Sequence, residues 1–303
     1  METRSLAVFL SVADTLNFSR SSEALHMSVS AVSRTIKRLE EELSQQLLER
    51  DNRQVRLTRA GREFREYARN ALSEWQRLQS KLGADKNLVG EVSLYCSVTA
   101  THSILAPILA AFRRLHPAVD ILMHTGDQAD GISRVLDGQD DIAVSGQPLQ
   151  LPQRLDFLPL LETPLHIWAP TANCAVQEQL GAEEERRSSA YDWSSIPFIL
   201  PERGVTKEML DKWLSTHGIQ PRVYAQVAGH EAIVAMVSLG LGVGVAPSLV
   251  VEKSAFATGV RPLVLADNLP ALTVGLCGLK QRLSNPVVKS LWNVAGQTAT
   301  AVI

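Results

Sequence analysis

Along the N-terminal part of the chain the apolar positions recur at helical spacing. Leu6, Phe9, Leu10 and Ala13 mark a helix over Ser5–Thr15. The stretch Phe18–Leu43, FSRSSEALHMSVSAVSRTIKRLEEEL, predicts two helices meeting at a turn near His26–Ser28, with Ser19 and Ser28 as hydroxyl caps. In the second helix Val29, Val32, Ile36, Leu39 and Leu43 form one apolar stripe, while Ser30, Ser33, Arg34 and Lys37 stand on another face. Leu47 and Leu48 are expected to close this small core. Val55 and Leu57 alternate with Gln54 and Arg56, which predicts a hairpin wing turning at Asp51–Asn52. Thr58 then caps a long helix to about Lys86, whose stripe is Ala60, Phe64, Tyr67, Ala71, Trp75, Leu78 and Leu82. At about 1.5 Å per residue it spans roughly 40 Å. That is more than a small head can cover, so a second copy of the chain is the expected partner for the stripe.

From Glu91 the pattern changes to alternating strands and helices. Val92–Ser97, Val119–Thr125 and Asp141–Ser145 read as strands, with helices over Thr101–Leu115 and Gly131–Asp137 between them. This βαβαβ order predicts a parallel sheet. Phe157–Leu161 and Leu165–Ala169 are extended and flank Glu162–Pro164, a crossing into a second lobe. There Ile196–Leu200, Arg222–Val227 and Val243–Ala246 are predicted strands, and Thr206–His217 and Glu231–Leu239 helices. Leu272–Leu276 is a late strand, and a helix from Asn285 closes the chain. Ile233–Val251 is uncharged over a length able to span a bilayer. Gly240, Gly242, Gly244 and Pro247 interrupt it, so a helix, a turn, a buried strand and a second helix are expected there, not a membrane span.

Composition narrows the function classes. The chain has 303 residues, 45% of them apolar, which suits two or three ordinary domains and excludes disorder. Residues 1–88 carry 15 Lys and Arg against 12 Asp and Glu, a net +3, whereas the remainder carries −5. A basic head on an acidic body fits nucleic-acid binding by the head alone. Cys96, Cys174 and Cys277 have no CxxC spacing, so neither a disulfide framework nor a zinc site is expected. The N-terminal segment lacks the pattern of a secretory signal, and a cytoplasmic setting is expected.

The search for chemistry yields binding candidates and no catalytic ones. HEAIV at His230 has Val234 where a zinc-protease helix needs its second histidine. Gly240, Gly242 and Gly244 follow a helix instead of a strand, which argues against a dinucleotide site. No P-loop or G-x-S-x-G elbow occurs. No catalytic residue, metal site or cofactor is therefore expected. For double-stranded DNA the candidates are Ser28, Ser30, Ala31, Ser33, Arg34 and Lys37 on the second helix and Arg50 and Arg53 on the wing. For a small anion they are Ser97, Thr99, Ala100 and Thr101 after the first strand of the first lobe, and Thr125 and Gly126 after the second. Arg203, Gly229 and His230 occupy the matching strand ends of the other lobe. A solute-binding protein of a transporter would suit the two lobes equally, but it leaves the basic head unexplained.

Taken together, FSRSSEALHMSVSAVSRTIKRLEEEL, ERDNRQVRLTRAG, the long helix and the two-lobed body resemble the LysR-type transcriptional regulators over essentially the whole chain. The resemblance implies an α/β protein with an N-terminal all-α winged helix-turn-helix, a long linker helix and a two-lobed, periplasmic-binding-protein-like (type 2) effector domain. The implied division is 1–58 for the DNA-binding domain, 59–89 for the linker and dimerisation helix with its hinge, and 90–303 for the effector domain. Lobe I covers about 90–161 and 266–303, and lobe II about 162–265. The implied partners are an interrupted dyad operator, RNA polymerase, further copies of the chain in a homodimer or homotetramer, and a small carboxylate inducer. A narrower likeness, in CSVTATHSILAPIL, TGDQAD, DWSSIPFI, VAGHEAIVAMVSLGLGVGV and CGLKQRL, is to members that activate branched-chain amino-acid synthesis. It implies acetolactate or acetohydroxybutyrate as inducer; another pathway with a different small carboxylate is the alternative. The chain departs from the family pattern at Val29, often Gln, at Ser21–Ser22, usually alanines, and at Ser44, usually a turn glycine.

Overall fold

A computed structural model describes residues 3–51, 54–81, 88–181 and 191–300. The chain forms two compact units that meet in sequence at Lys86–Asn87. The first unit contains α1 (Thr3–Thr15), α2 (Phe18–Ala24), α3 (Val29–Leu43), the antiparallel strands β1 (Leu48–Asp51) and β2 (Gln54–Leu57), and α4 (Arg59–Lys81). Its core gathers Leu6, Phe9 and Val12 of α1, Val32, Ile36 and Leu39 of α3, Leu47, Leu48, and Phe64 and Ala68 of α4. Phe9 and Phe64 meet edge to face at 4.9 Å, and Asp14 bridges Arg65 and Arg69 at 3.0 and 2.8 Å, which fixes α1 against α4.

Local signals set the boundaries. Asn17, not Ser19, caps α2: its Oδ1 accepts the N–H groups of Ser19 and Arg20 at 2.9 and 3.1 Å. This makes Phe18 the first helical residue and packs it against the core. Ser28 caps α3 as expected, accepting from Ala31 N at 3.2 Å. The serines that stand for alanines are buried without polar waste: Ser21 Oγ lies 2.6 Å from Thr15 Oγ1, and Ser22 Oγ donates to Ser19 O. Glu40 anchors the wing, its Oε1 accepting the N–H groups of Leu47 and Leu48. Thr58 caps α4 through Gly61 N at 2.8 Å. A Cβ on Gly61 would stand 2.0 Å from Leu47 O, so only glycine lets α4 start this close to the core.

The second unit holds two five-stranded sheets. One has the order β4-β3-β5-β12-β6, with β3 Gly90–Cys96, β4 Val119–Thr125, β5 Ile142–Gly146, β6 Leu155–Thr163 and β12 Leu272–Leu279. The other has the order β11-β7-β10-β8-β9, with β7 Leu165–Pro170, β8 Pro197–Pro201, β9 Arg222–Val227, β10 Val243–Pro247 and β11 Val260–Pro262. The three strands of the βαβαβ segment, β3, β4 and β5, pair in parallel as expected, but neither sheet is parallel throughout. In each, four strands run the same way and one runs against its two neighbours, β12 in the first sheet and β7 in the second; each reversed strand is the first after the chain crosses from the other sheet. The first crossing is a single residue, Pro164, whose missing N–H ends the ladder. Strand β11 and the helix Ala175–Leu180 went unpredicted; both are short.

After β3 the chain turns into Val98–Ala100, a wide turn over Thr101–Leu105, and the helix Ala106–Leu115. The wide turn accommodates Pro107, which has no N–H to give in the first turn of the following helix. In the other lobe the glycine-spaced segment is strand β10: a Cβ on Gly244 would meet Ile233 Cγ2 at 2.5 Å, so the glycine lets helix His230–Ser238 lie on the sheet. Among the described residues no helix is long and apolar enough to cross a membrane.

Candidate functional sites

In the first unit, α3 offers a polar surface. Val32, Ile36 and Leu39 are buried, and Ser28, Ser30, Arg34 and Lys37 are exposed, with Ala31 and Ser33 at the margin. Val29, expected in the buried stripe, is 45% exposed instead: the first turn of α3 projects past the core, so helical period alone does not bury it. Val29 thus joins the polar face as its one large apolar member. Arg34 Nε donates to Ser30 O at 3.3 Å, and its guanidinium has no acidic partner among the described residues. Lys37 lies 3.7 Å from Glu41, an exposed pair of small energetic weight. On the wing, Arg50 stands in β1 opposite Val55, and Arg56 in β2 opposite Glu49. Arg53 lies outside the described residues. Hydroxyls and an unpaired cation on one exposed helix face suit the donors and acceptors of a major groove.

In the second unit, the strand-end candidates gather where the two lobes meet, and they divide into two groups. A cavity of about 30 Å³ is lined from lobe I by Ser97, Thr99, Ala100, Gln128 and Val144, and from the lobe II side by Pro247, Leu249 and Val250. Ser97 caps the helical run, accepting from Ala100 N at 3.2 Å. Thr99 is buried and donates across the lobes to Glu231 Oε1 at 2.5 Å. Thr101, Thr125, Gly126, Arg203, Gly229 and His230 are not part of this wall. Thr101 turns its hydroxyl back to Ser97 O at 3.2 Å. Thr125 and Gly126 are exposed, and Gly126 N is spent on Cys96 O.

The remaining candidates act between the lobes. Arg203 donates bidentately to Asp130 at 3.2 and 3.1 Å, with Asp127 at 3.6 Å. Those bonds hold its guanidinium further toward the charged form and spend the charge expected to meet a ligand. His230 is buried at the start of its helix, preceded by Gly229, and its Nε2 lies 3.3 Å from the Gln128 amide and 3.0 Å from Thr206 Oγ1. Burial pushes its pKa down to about 4, against the opposing pull of Glu231 and Asp127, so the ring is neutral and Nε2 accepts from Gln128. Three polar links thus hold the lobes closed: Thr99–Glu231, Gln128–His230 and Asp130–Arg203. Gln128, Thr206 and Glu231 were missed by sequence reasoning, although Gln128 lies in TGDQAD and Glu231 in the HEAIV set aside as a failed zinc motif. Among the described residues no cluster of His, Cys, Asp and Glu could hold a metal ion.

Comparison with known proteins decides between the readings of head and cleft. A family model for the bacterial regulatory helix-turn-helix protein, lysR family, matches residues 3–62, and one for the LysR substrate binding domain matches residues 85–300. The chain belongs to the LysR family of transcription regulators. It is 39% identical over 298 residues to the HTH-type transcriptional activator IlvY of Salmonella typhimurium, covering 97% of this chain and 99% of the relative. IlvY of Escherichia coli is 39% identical, covering 97% and 98%, and IlvY of Haemophilus influenzae 36%, covering 96% and 99%. Full-length OxyR from Pseudomonas aeruginosa shares the fold at a TM-score of 0.71 and 20% identity, covering 97% of this chain and 94% of that one. CbnR in complex with its target DNA gives 0.58 and 20%, covering 98% and 100%. The winged helix-turn-helix head and the two-lobed effector domain expected from sequence are both present. As a LysR-family member the protein is a DNA-binding regulator and not an enzyme, which removes the solute-binding reading of the cleft.

Proposed function

We propose that this regulator activates a gene of branched-chain amino-acid synthesis, that of acetohydroxy acid isomeroreductase, in response to acetolactate or acetohydroxybutyrate. The observation that carries the reading is the 39% identity to IlvY over 97% of the chain, which takes in both the head and the cleft. In this reading residues 1–58 hold DNA, 59–89 pair with a second copy, and 90–303 bind the effector. The protein works in the cytoplasm as a homotetramer on an interrupted dyad, and contacts RNA polymerase there. Ser30, Ser33 and Arg34 read the major groove, and Arg53 enters the minor groove.

The cleft chemistry supports a small hydroxylated carboxylate. The Ser97 and Thr99 hydroxyls and the N–H groups at the start of the helical run offer donors to a carboxylate, and Val144, Leu249 and Val250 offer an apolar wall to its alkyl part. A space of about 30 Å³ admits little more than water, so the inducer enters as the lobes part, and it takes the Thr99 hydroxyl from Glu231. A ligand that binds parted and closed lobes with different affinity shifts the balance between them.

The test is a footprint of the full-length protein on its own upstream DNA, with and without acetolactate. A protected dyad whose pattern or bending changes several-fold with acetolactate is expected, in line with couplings of about 1–3 kcal/mol. Arg34→Ala should lose specific protection while remaining folded and oligomeric. Protection that ignores acetolactate but responds to another small carboxylate would overturn the inducer assignment.

A further inference from the structure

Besides the cleft, the second unit has a larger cavity of about 630 Å³, on the far side of Leu272. We propose that it is a second small-molecule site, built for a carboxylate with an apolar body and coupled to the cleft through Leu272. Its size falls within the range of ligand pockets, about 300–1,000 Å³. Its walls come from both lobes and from the crossing between them: the segment after β5, the helix Val205–Thr216, and residues 267–273.

The lining sorts by chemistry. Met209, Trp213, Leu149 and Pro270 supply an apolar floor. Trp213 is held in place, its indole N–H donating to Asp267 O at 3.2 Å and its ring stacked by His217 with centroids 4.5 Å apart. The Asp267 carboxylate is engaged by His217 Nε2 at 3.1 Å. Lys212, one position before Trp213, lines the same cavity, and its ammonium has no acidic partner among the described residues. The lining thus sets the Lys212 ammonium beside an apolar surface, with its one carboxylate, Asp267, turned to His217, an arrangement that suits an anion with a hydrophobic body.

Leu272 makes the site regulatory. Its side chain is 1% exposed and lines both this cavity and the cleft cavity, packed within 3.0 Å of where a Cβ on Gly146 would lie. In a close-packed wall a guest on one side fixes the rotamer that a guest on the other side meets. Affinities at two sites coupled this way change reciprocally.

Phenylacetate titrated into the full-length protein by calorimetry tests the site. Saturable binding at millimolar ligand or below is expected, weakened about tenfold by Lys212→Gln and abolished by the cavity-filling Met209→Trp, but unchanged by Lys253→Gln, which removes an exposed cation outside the lining. Hydrogen exchange of the Ser97–Thr101 amides should change when phenylacetate binds, and that response should vanish in Leu272→Ala. Absence of saturable heat, or heat weakened as much by Lys253→Gln as by Lys212→Gln, would overturn the site. Unaltered exchange at Ser97–Thr101 in the wild type would overturn the coupling. None of these outcomes depends on whether acetolactate is the inducer.

Discussion

Ser44 ends α3 in the left-handed region, at φ 51° and ψ 33°, with its N–H turned back to Glu40 O and Glu41 O. An L-residue pays a Cβ penalty there that glycine does not, on the order of 1–2 kcal/mol. Ser44→Gly is therefore expected to stabilise the first unit by about 1 kcal/mol, because glycine's larger freedom in the unfolded chain returns part of the gain. Urea denaturation followed through the helical signal of the full chain would show a raised midpoint with unchanged slope. A lowered midpoint would mean that the serine hydroxyl, and not the backbone geometry, holds the turn. This position was legible as a departure from the family's glycine. Asn17 and Ser19 were not separable by residue type, since both make good caps. What chose Asn17 was the need to bring Phe18 onto the core, a tertiary fact. Val29 misled for a related reason: period tells which way a side chain points but not where the neighbouring core ends.

At the scale of elements, strands and helices were readable from periodicity to within a few residues, while their partners across the lobes were not. Thr99 and Glu231 lie 132 positions apart, and no local pattern joins them. His230 shows what such a link does. Its neutral ring accepts from Gln128, and burial holds its pKa at about 4 where an unfolded histidine titrates near 6.5. The unfolded chain therefore takes up a proton first as the pH falls. Stability is intact above about pH 6.5 and is lost progressively as the pH drops toward 4, by about 2 kcal/mol between roughly pH 7 and pH 5. His230→Gln should flatten this slope in urea midpoints measured across the range. His166 in β7, whose pKa burial also lowers, leaves a remainder. A slope undiminished by His230→Gln would place the acid sensitivity elsewhere.

For the whole molecule, the decisive surface is the one α4 does not bury in its own unit. The sequence presented Phe64, Tyr67 and Trp75 as one stripe, but the head takes only part of it. Phe64 and Ala68 enter the core, whereas Tyr67 and Trp75, eight residues apart on a shared broad face, stay 51% and 46% exposed. Leu82, which the stripe also included, lies outside the described residues. Two large aromatics on one helix face of a regulator whose operator is expected to be a dyad point to pairing of α4 with α4. In a two-fold arrangement each substitution acts twice. Burying a large apolar side chain is worth about 1.5–3 kcal/mol. Trp75→Glu should therefore weaken the dimer by at least about 3 kcal/mol, roughly a hundredfold in Kd. Sedimentation equilibrium would read that shift directly, and the variant's footprint would shrink toward one half-site. The first unit's own core does not include Trp75, so its thermal unfolding should barely move. A dimer Kd unchanged by Trp75→Glu would mean that the copies join through another face, and the exposed aromatics of α4 would need a different partner.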